Sequence, residues 1–133
     1  KLTTEAKTFK NKVKQHIAET YFNYKINPYA IYSLDVLFKL PFEELFCITY
    51  PKTKSLYQKW DTDGHVKLLK DALVDALAIK DDTQIFTETV TKNIGETNII
   101  IKLIELPFSF FKEPYPENFE KNFNNFCNKY NNE

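Results

Sequence analysis

Apolar residues recur at every fourth position near the beginning of the chain, and this spacing predicts an amphipathic helix over residues 4 to about 23. The recurring residues are Phe9, Val13, Ile17 and Tyr21. Apolar and polar side chains then alternate from Tyr32 to Leu40, which is the period of a strand with one buried face. The Asn27-Pro28 pair between the two patterns ends the helix before the strand begins.

A second helical pattern covers residues 63–78, and Asp63 is its expected N-cap. Its apolar stripe consists of Val66, Leu69, Leu73, Ala76 and Leu77. Between the first strand and this helix, residues 42–45 predict one helical turn, and residues 46–50 are expected to extend the sheet.

Two segments rich in β-branched residues, 84–92 and 98–106, predict strands that pair as a hairpin. The loop between them contains Gly95, which is expected to take a positive φ. Strands and helices in this order predict an α+β fold, a small mixed and mostly antiparallel sheet with helices packed on one face.

The chain length fits one domain, which we place at residues 1–106. Residues 107–133 are predicted to form an aromatic, helical C-terminal extension that begins near Tyr115 and packs on this domain or on a dimer partner. The aromatic side of that helix would carry Phe119, Phe123, Phe126 and Tyr130.

Composition narrows the class of protein. The chain carries 18 basic and 18 acidic residues, and every basic residue is a lysine, so no global basic field indicates a nucleic-acid partner. Cys47 and Cys127 lie far apart without metal-ligand spacing, which favours a reducing cytoplasm over a disulfide framework. No apolar run approaches the roughly 20 residues of a membrane span.

Candidate chemistry gathers around the second helix. Asp61 and Asp63 alternate about one residue at its start, and Asp82 begins the next strand, so the three carboxylates converge if the helix packs across the sheet. Such a set suits Mg²⁺ or Mn²⁺, and Lys67 one turn later would stabilise negative charge on a phosphate. The alternative interpretation is a helix cap with surface acids.

The segment before Asp61 is locally basic and aromatic. Its lysines are Lys52, Lys54 and Lys59, and the next helix adds Lys70. Lysines beside a carboxylate site favour contact with a polyanion such as DNA, whereas a solvated loop is the alternative.

The combined pattern resembles the RusA family of Holliday junction resolvases. Asp61-x-Asp63, Lys67, the Asp71-Ala72-Leu73 helix and the Asp81-Asp82-x-Gln84-Ile85 turn are similar to the family's D-x-D, K, D-A-L and D-D-x-Q-[IV] elements. The resemblance covers about residues 3–106. This chain departs from the family by Gly64-His65 after the second aspartate and Trp60 before the first.

The resemblance implies a homodimeric, Mg²⁺-dependent endodeoxyribonuclease, with Mn²⁺ as a substitute, that nicks four-way DNA junctions at paired sites in the bacterial or phage-infected cytoplasm. By matching position, Asp61, Asp63 and Asp82 correspond to its metal-binding aspartates and Lys67 to its catalytic lysine. No membrane and no small-molecule cofactor are expected.

A second hypothesis is a RusA-like module that binds DNA or protein with weak or lost cleavage, favoured by the neutral charge and the added tail. A phosphotransfer enzyme using the D-x-D is disfavoured, because a chain with two glycines has no glycine-rich phosphate loop.

Overall fold

The computed structural model of the protein describes residues 3–20, 27–76 and 78–129. Its elements in chain order are α1 (Thr4–Thr20), β1 (Tyr32–Leu40), α2 (Phe42–Leu45), α3 (Thr62–Asp75), β2 (Ile85–Ile94), β3 (Asn98–Glu105) and α4 (Phe119–Cys127). Single 3-10 turns lie at Asp82–Gln84 and Phe108–Phe110. The positions of Tyr21, Leu77 and Tyr130, which were assigned to helical faces, fall outside the described residues.

The three strands form one mixed sheet in the order β2-β1-β3. β1 pairs with β2 in parallel and with β3 antiparallel. The α+β fold with a small mixed sheet is therefore confirmed, whereas the expectation of mostly antiparallel pairing and of a β2-β3 hairpin is wrong. β1 lies at the centre of this sheet, and alternate residues along its whole length are buried on one face.

Gly95 serves a purpose other than the predicted one, since it has no positive φ. Its backbone N–H donates to the Leu40 carbonyl at 2.9 Å, and a β-carbon at this position would lie 3.2 Å from Cδ of Lys39. Glycine therefore suits this turn because the chain passes close to the end of β1.

Residues 46–50 do not extend the sheet as expected. The predicted helical turn is present as α2, but after it Phe46 forms only an isolated antiparallel bridge with Tyr57. The chain reverses direction between these two residues, and residue 60 lies just before the beginning of α3.

The hydrophobic core lies between one face of the sheet and the helices α1 and α3. Leu34 and Phe38 of β1 are buried against Leu69 and Leu73 of α3, and Ile17 of α1 joins the same cluster. The opposite face of the sheet stays accessible, as the 39% and 49% exposure of Ile100 and Ile104 shows. No helix in the described ranges is long and apolar enough to cross a membrane.

The C-terminal extension contacts the body of the protein. Its rings form an aromatic cluster of Phe108, Phe111, Tyr115, Phe119 and Phe123. The Asn27 side-chain amide donates to the Cys127 carbonyl at 3.1 Å. Burial, with a smaller contribution from Glu105, raises the pKa of the Cys127 thiol. The domain boundary itself stays a prediction.

Gln84 connects the turn before β2 to the chain entering β1. Its Oε1 accepts hydrogen bonds from the backbone N–H groups of Lys80 at 2.7 Å and Asp81 at 2.9 Å. Its Nε2 donates to the carbonyls of Pro28 at 2.7 Å and Ala30 at 2.6 Å. One partly buried amide therefore satisfies four backbone groups from two distant segments.

We expect Gln84→Ala to lower the free energy of unfolding by about 2–4 kcal/mol, because four hydrogen bonds of roughly 1 kcal/mol each are lost. Urea denaturation measures the change. Gln58→Ala is the matched control, since the Gln58 amide donates one 3.3 Å bond at an exposed site, and it should cost less than about 1 kcal/mol. Equal costs would mean that Gln84 does not hold the segments together.

Candidate active site

The beginning of α3 is capped by Asp61, not by Asp63 as the sequence pattern suggested. Asp61 has extended backbone angles, and its Oδ1 accepts a hydrogen bond from the Asp63 N–H at 3.0 Å. The N-cap therefore lies two positions before the expected one, and Asp63 lies exposed in the first turn. Both carboxylates lie at the positive end of the helix dipole, where negatively charged side chains stabilise a helix.

His65 links the first turn of α3 to the residues just before the helix. The ring Nδ1 donates to the Asp61 carbonyl at 2.9 Å. The ring also stacks on Trp60, with centroids 4.4 Å apart and planes 20° from parallel. Phe38 of β1 meets Trp60 edge-on at 5.0 Å, so the pair rests on the hydrophobic core.

Lys67 lies one turn beyond Asp63 and is exposed. It takes part in neither of the two ion pairs found in the described part of the chain. Lys70 pairs with Glu88 of β2, and its contact with DNA stays a prediction. Lys67 is thus the α3 lysine whose ammonium group is available beside the aspartates.

Asp82 lies in the 3-10 turn that leads into β2. Asp81 caps this turn, and its carboxylate accepts from the Thr83 N–H at 2.9 Å. That backbone hydrogen bond is the main cause that holds the pKa of Asp81 below its usual range. Asp82 itself is exposed, so its side chain faces solvent at the edge of the protein.

The predicted convergence of the three carboxylates within one chain is wrong. Trp60, next to Asp61, contacts Phe38 and accepts a 3.0 Å hydrogen bond from Lys92. Phe38 and Lys92 are partners in the β1-β2 register, so Asp61 lies near this end of the sheet. Asp82 instead precedes Ile85, the partner of Tyr32 at the other end of β1. The 14 residues of α3 span about 21 Å between these ends.

This arrangement does not provide a metal centre within one chain. Across residues 3–20, 27–76 and 78–129, no group of three or more His, Cys, Asp or Glu side chains could hold a metal ion. Asp61 and Asp63 supply carboxylates at one end of α3, and Asp82 supplies a carboxylate at the other. Two carboxylates can bind Mg²⁺ only with further oxygen ligands from water, substrate or another chain.

The lysines of the preceding loop lie in two places. Lys52 and Lys54 belong to an exposed turn, in which Lys54 has a φ of 63°. Lys59 lines a cavity together with Asp61 and therefore lies beside the aspartates of α3. The loop brings at least one lysine to the acidic end of the helix, while the phosphate-binding role of all three stays a prediction.

Sequence reasoning missed two contributors to this end of the protein. Lys92 reaches back from β2 to the Trp60 carbonyl, and Phe9 of α1 packs edge-on against His65 at 5.4 Å. Nothing local in the sequence links Lys92 to residue 60. Phe9 could have been suspected only from its place in the α1 apolar row.

Fold and site define an α+β protein whose acidic helix end carries a lysine one turn away. The sequence model of the family described as endodeoxyribonuclease RusA matches residues 2–104. This match spans more than half of the 133-residue chain and includes the aspartates and lysine described above. The chain therefore belongs to the RusA family, a family of nucleases that act on Holliday junctions. A search of curated proteins found no match.

The capping role of Asp61 can be separated from its charge. Asp61→Asn should leave the free energy of unfolding within about 0.5 kcal/mol of the native value, because asparagine is an equally good N-cap. Asp61→Ala should lower it by about 1 kcal/mol, since the Asp63 N–H loses its acceptor. Thermal unfolding at pH 7 measures both. Equal losses in the two variants would contradict the cap assignment.

Proposed function

We propose that this protein is a divalent-metal-dependent endonuclease that resolves four-way DNA junctions by paired nicks during recombination and repair. The observation that carries the proposal is the beginning of α3, where Asp61 and Asp63 lie at the helix N-terminus and exposed Lys67 follows one turn later. Membership of the RusA family supports the same activity. Mg²⁺ is the proposed ion, with Mn²⁺ as a substitute, because both prefer oxygen ligands.

We propose further that the active site forms between two copies of the chain. The ends of α3 lie about 21 Å apart, so a three-carboxylate site needs the acidic turn of a second molecule. A two-fold axis perpendicular to α3 near its midpoint reverses the direction of the partner's helix. It would bring Asp61 and Asp63 of one chain towards Asp82 of the partner subunit, and it would do so twice.

The symmetry of the substrate supports a dimer. Paired cuts in a four-way junction require two active sites related by a two-fold axis. The open face of the sheet, with Leu37, Ile100 and Ile104, supplies apolar surface that self-association could bury. In this assignment the ion would activate a water molecule and neutralise phosphate charge, and Lys67 would stabilise the charge that develops at the phosphate.

Recognition of DNA rests on lysines in this proposal. Lys52, Lys54 and Lys59 would contact phosphates, while Lys70 would first have to leave Glu88. The chain lacks arginine, whose planar guanidinium is best suited to bidentate contacts with guanine, so junction shape and backbone should dominate binding.

One observation favours a second candidate, a RusA-like binding module with weak or no cleavage. The described residues of a single chain assemble no three-ligand metal group, and the net formal charge of the chain is zero. Such a module would bind branched DNA or protein and would not depend on Mg²⁺ for any step. Cleavage assays on mixed variants separate the two candidates.

Asp63→Asn and Asp82→Asn should each abolish cleavage of a labelled four-way junction in Mg²⁺, while binding in Mg²⁺-free buffer stays intact. When the two variants are mixed and allowed to exchange subunits, activity should return. A mixed dimer has one site with both substitutions and one intact site, so about a quarter of the native sites should be restored at equal mixing. The products should be single nicks.

The control for this experiment is a mixture of Asp61→Asn with Asp63→Asn, which alter the same end of α3 and should stay inactive together. If neither mixture regains activity although subunit exchange is demonstrated by co-purification with a tagged chain, the shared site is wrong. If the native chain cleaves no junction with Mg²⁺ or Mn²⁺, the binding module is favoured.

Lys67→Ala should reduce the single-turnover cleavage rate by about two to three orders of magnitude, the usual effect of removing one electrostatic stabiliser. Junction affinity should fall far less, because one lysine contributes a share of several phosphate contacts. Lys12→Ala on α1 is a matched exposed-lysine control that should change neither. Parallel losses of rate and affinity would make Lys67 a binding residue only.

A further inference from the structure

A cavity of about 410 Å³ opens beside the N-terminal end of α3. Its aromatic lining is contributed by Phe9, Trp60 and His65, and Asp61 forms part of its wall. The cavity thus combines flat rings with the end of the helix that carries the candidate catalytic carboxylates. Neither membership of the RusA family nor the proposed chemistry requires an aromatic cavity at this place.

The rings are held in place from several sides. Trp60 and His65 are stacked with centroids 4.4 Å apart, and the Phe9 edge meets His65 at 86°. The Asp61 carbonyl fixes His65, and the Lys92 ammonium group donates to the Trp60 carbonyl. Pre-ordered rings lose little conformational entropy when a ligand stacks on them, so this wall suits a planar ligand.

The charges around the cavity favour a base over a phosphate. Glu5 and Asp61 both line it, and their carboxylates would repel a phosphate group placed inside. Lys59 lines the same cavity and can hold the phosphate that adjoins a base bound there. Aromatic faces bind any nucleobase by stacking, because every base has a π-face.

We propose that this cavity binds an unpaired nucleobase of the DNA strand to be cut, stacked on the Trp60–His65 pair. The inference rests on the proposed junction endonuclease activity and identifies the part of the substrate that this end of α3 recognises. Extruding a base costs least where the duplex is already interrupted, as at a four-way crossover. A base held here places its own backbone beside Asp61, and the strand is thereby aligned with the aspartates.

Trp60 is the single tryptophan of the chain, so its fluorescence reports on this cavity directly. The native protein is titrated in Mg²⁺-free buffer with a four-way junction and with the same junction carrying abasic sites at the crossover. Quenching should accompany the intact junction, and most of it should disappear with the abasic junction. Equal quenching by both substrates would overturn the proposal.

Affinity measurements on variants give an independent readout. Trp60→Leu should weaken binding of the intact junction about tenfold, a typical effect of losing one base–aromatic stack, and should leave the abasic junction unaffected. Trp60→Phe keeps a ring, so its affinity for the intact junction should lie between those of the native chain and Trp60→Leu. If Trp60→Leu does not fold, Trp60→Phe is measured in its place. Phe126→Leu removes a ring outside the cavity from a residue that is 47% exposed, and this variant should bind the junction as the native chain does.

The outcomes distinguish this proposal from the endonuclease proposal on which it rests. If the native chain cleaves junctions in Mg²⁺ but its emission and its affinity do not depend on the crossover base, the base-binding cavity is wrong and the nuclease stands. If emission depends on the base while no cleavage occurs, the cavity stands and the nuclease assignment fails. Equal losses of affinity for intact and abasic junctions in Trp60→Leu would also overturn the cavity, because they indicate a general structural effect.

Discussion

The packing of α3 along the length of the central strand β1 is the constraint on which the rest of the structure depends. Leu69 and Leu73 are completely buried on Leu34 and Phe38. Each such side chain contributes about 1.5–3 kcal/mol by leaving water, so this seam dominates the stability of the domain. α1 completes the same core from the other side of α3, with the Lys10–Asp75 ion pair at 2.8 Å on its exposed rim.

This seam also fixes where the functional groups can lie. A helix that runs the length of the sheet places Asp61 and Asp63 at one end of β1 and the turn that follows the helix at the other. The carboxylates at the two ends of α3 cannot approach one another without disrupting the core, because buried leucines hold the helix in place on the sheet. The proposed active site, which uses both ends, would therefore combine two molecules, and the symmetry of a four-way junction offers a reason for such an arrangement.

At the N-terminal end of α3, residues with structural roles are also the ones proposed to act in the chemistry. Asp61 uses one carboxylate oxygen to cap the helix and retains another for a ligand. His65 links the Asp61 carbonyl to the ring of Trp60, and Trp60 rests on Phe38 in the core. The position of the candidate catalytic carboxylate is thereby tied to the hydrophobic core through two aromatic contacts.

The sequence by itself determined most of the elements, because helix and strand periods are local: among the described residues, the apolar row of α1, the alternation of β1 and the stripe of α3 recur in the structure. It also determined the family, since the aspartates, Lys67 and Gln84 keep a specific spacing. Only the tertiary structure decided that β1 separates β2 from β3, that Gln84 binds four backbone groups, and that Asp61 and Asp82 lie at opposite ends of α3. These features depend on which distant surfaces bury each other, and side-chain periodicity along one segment carries no information about its partner.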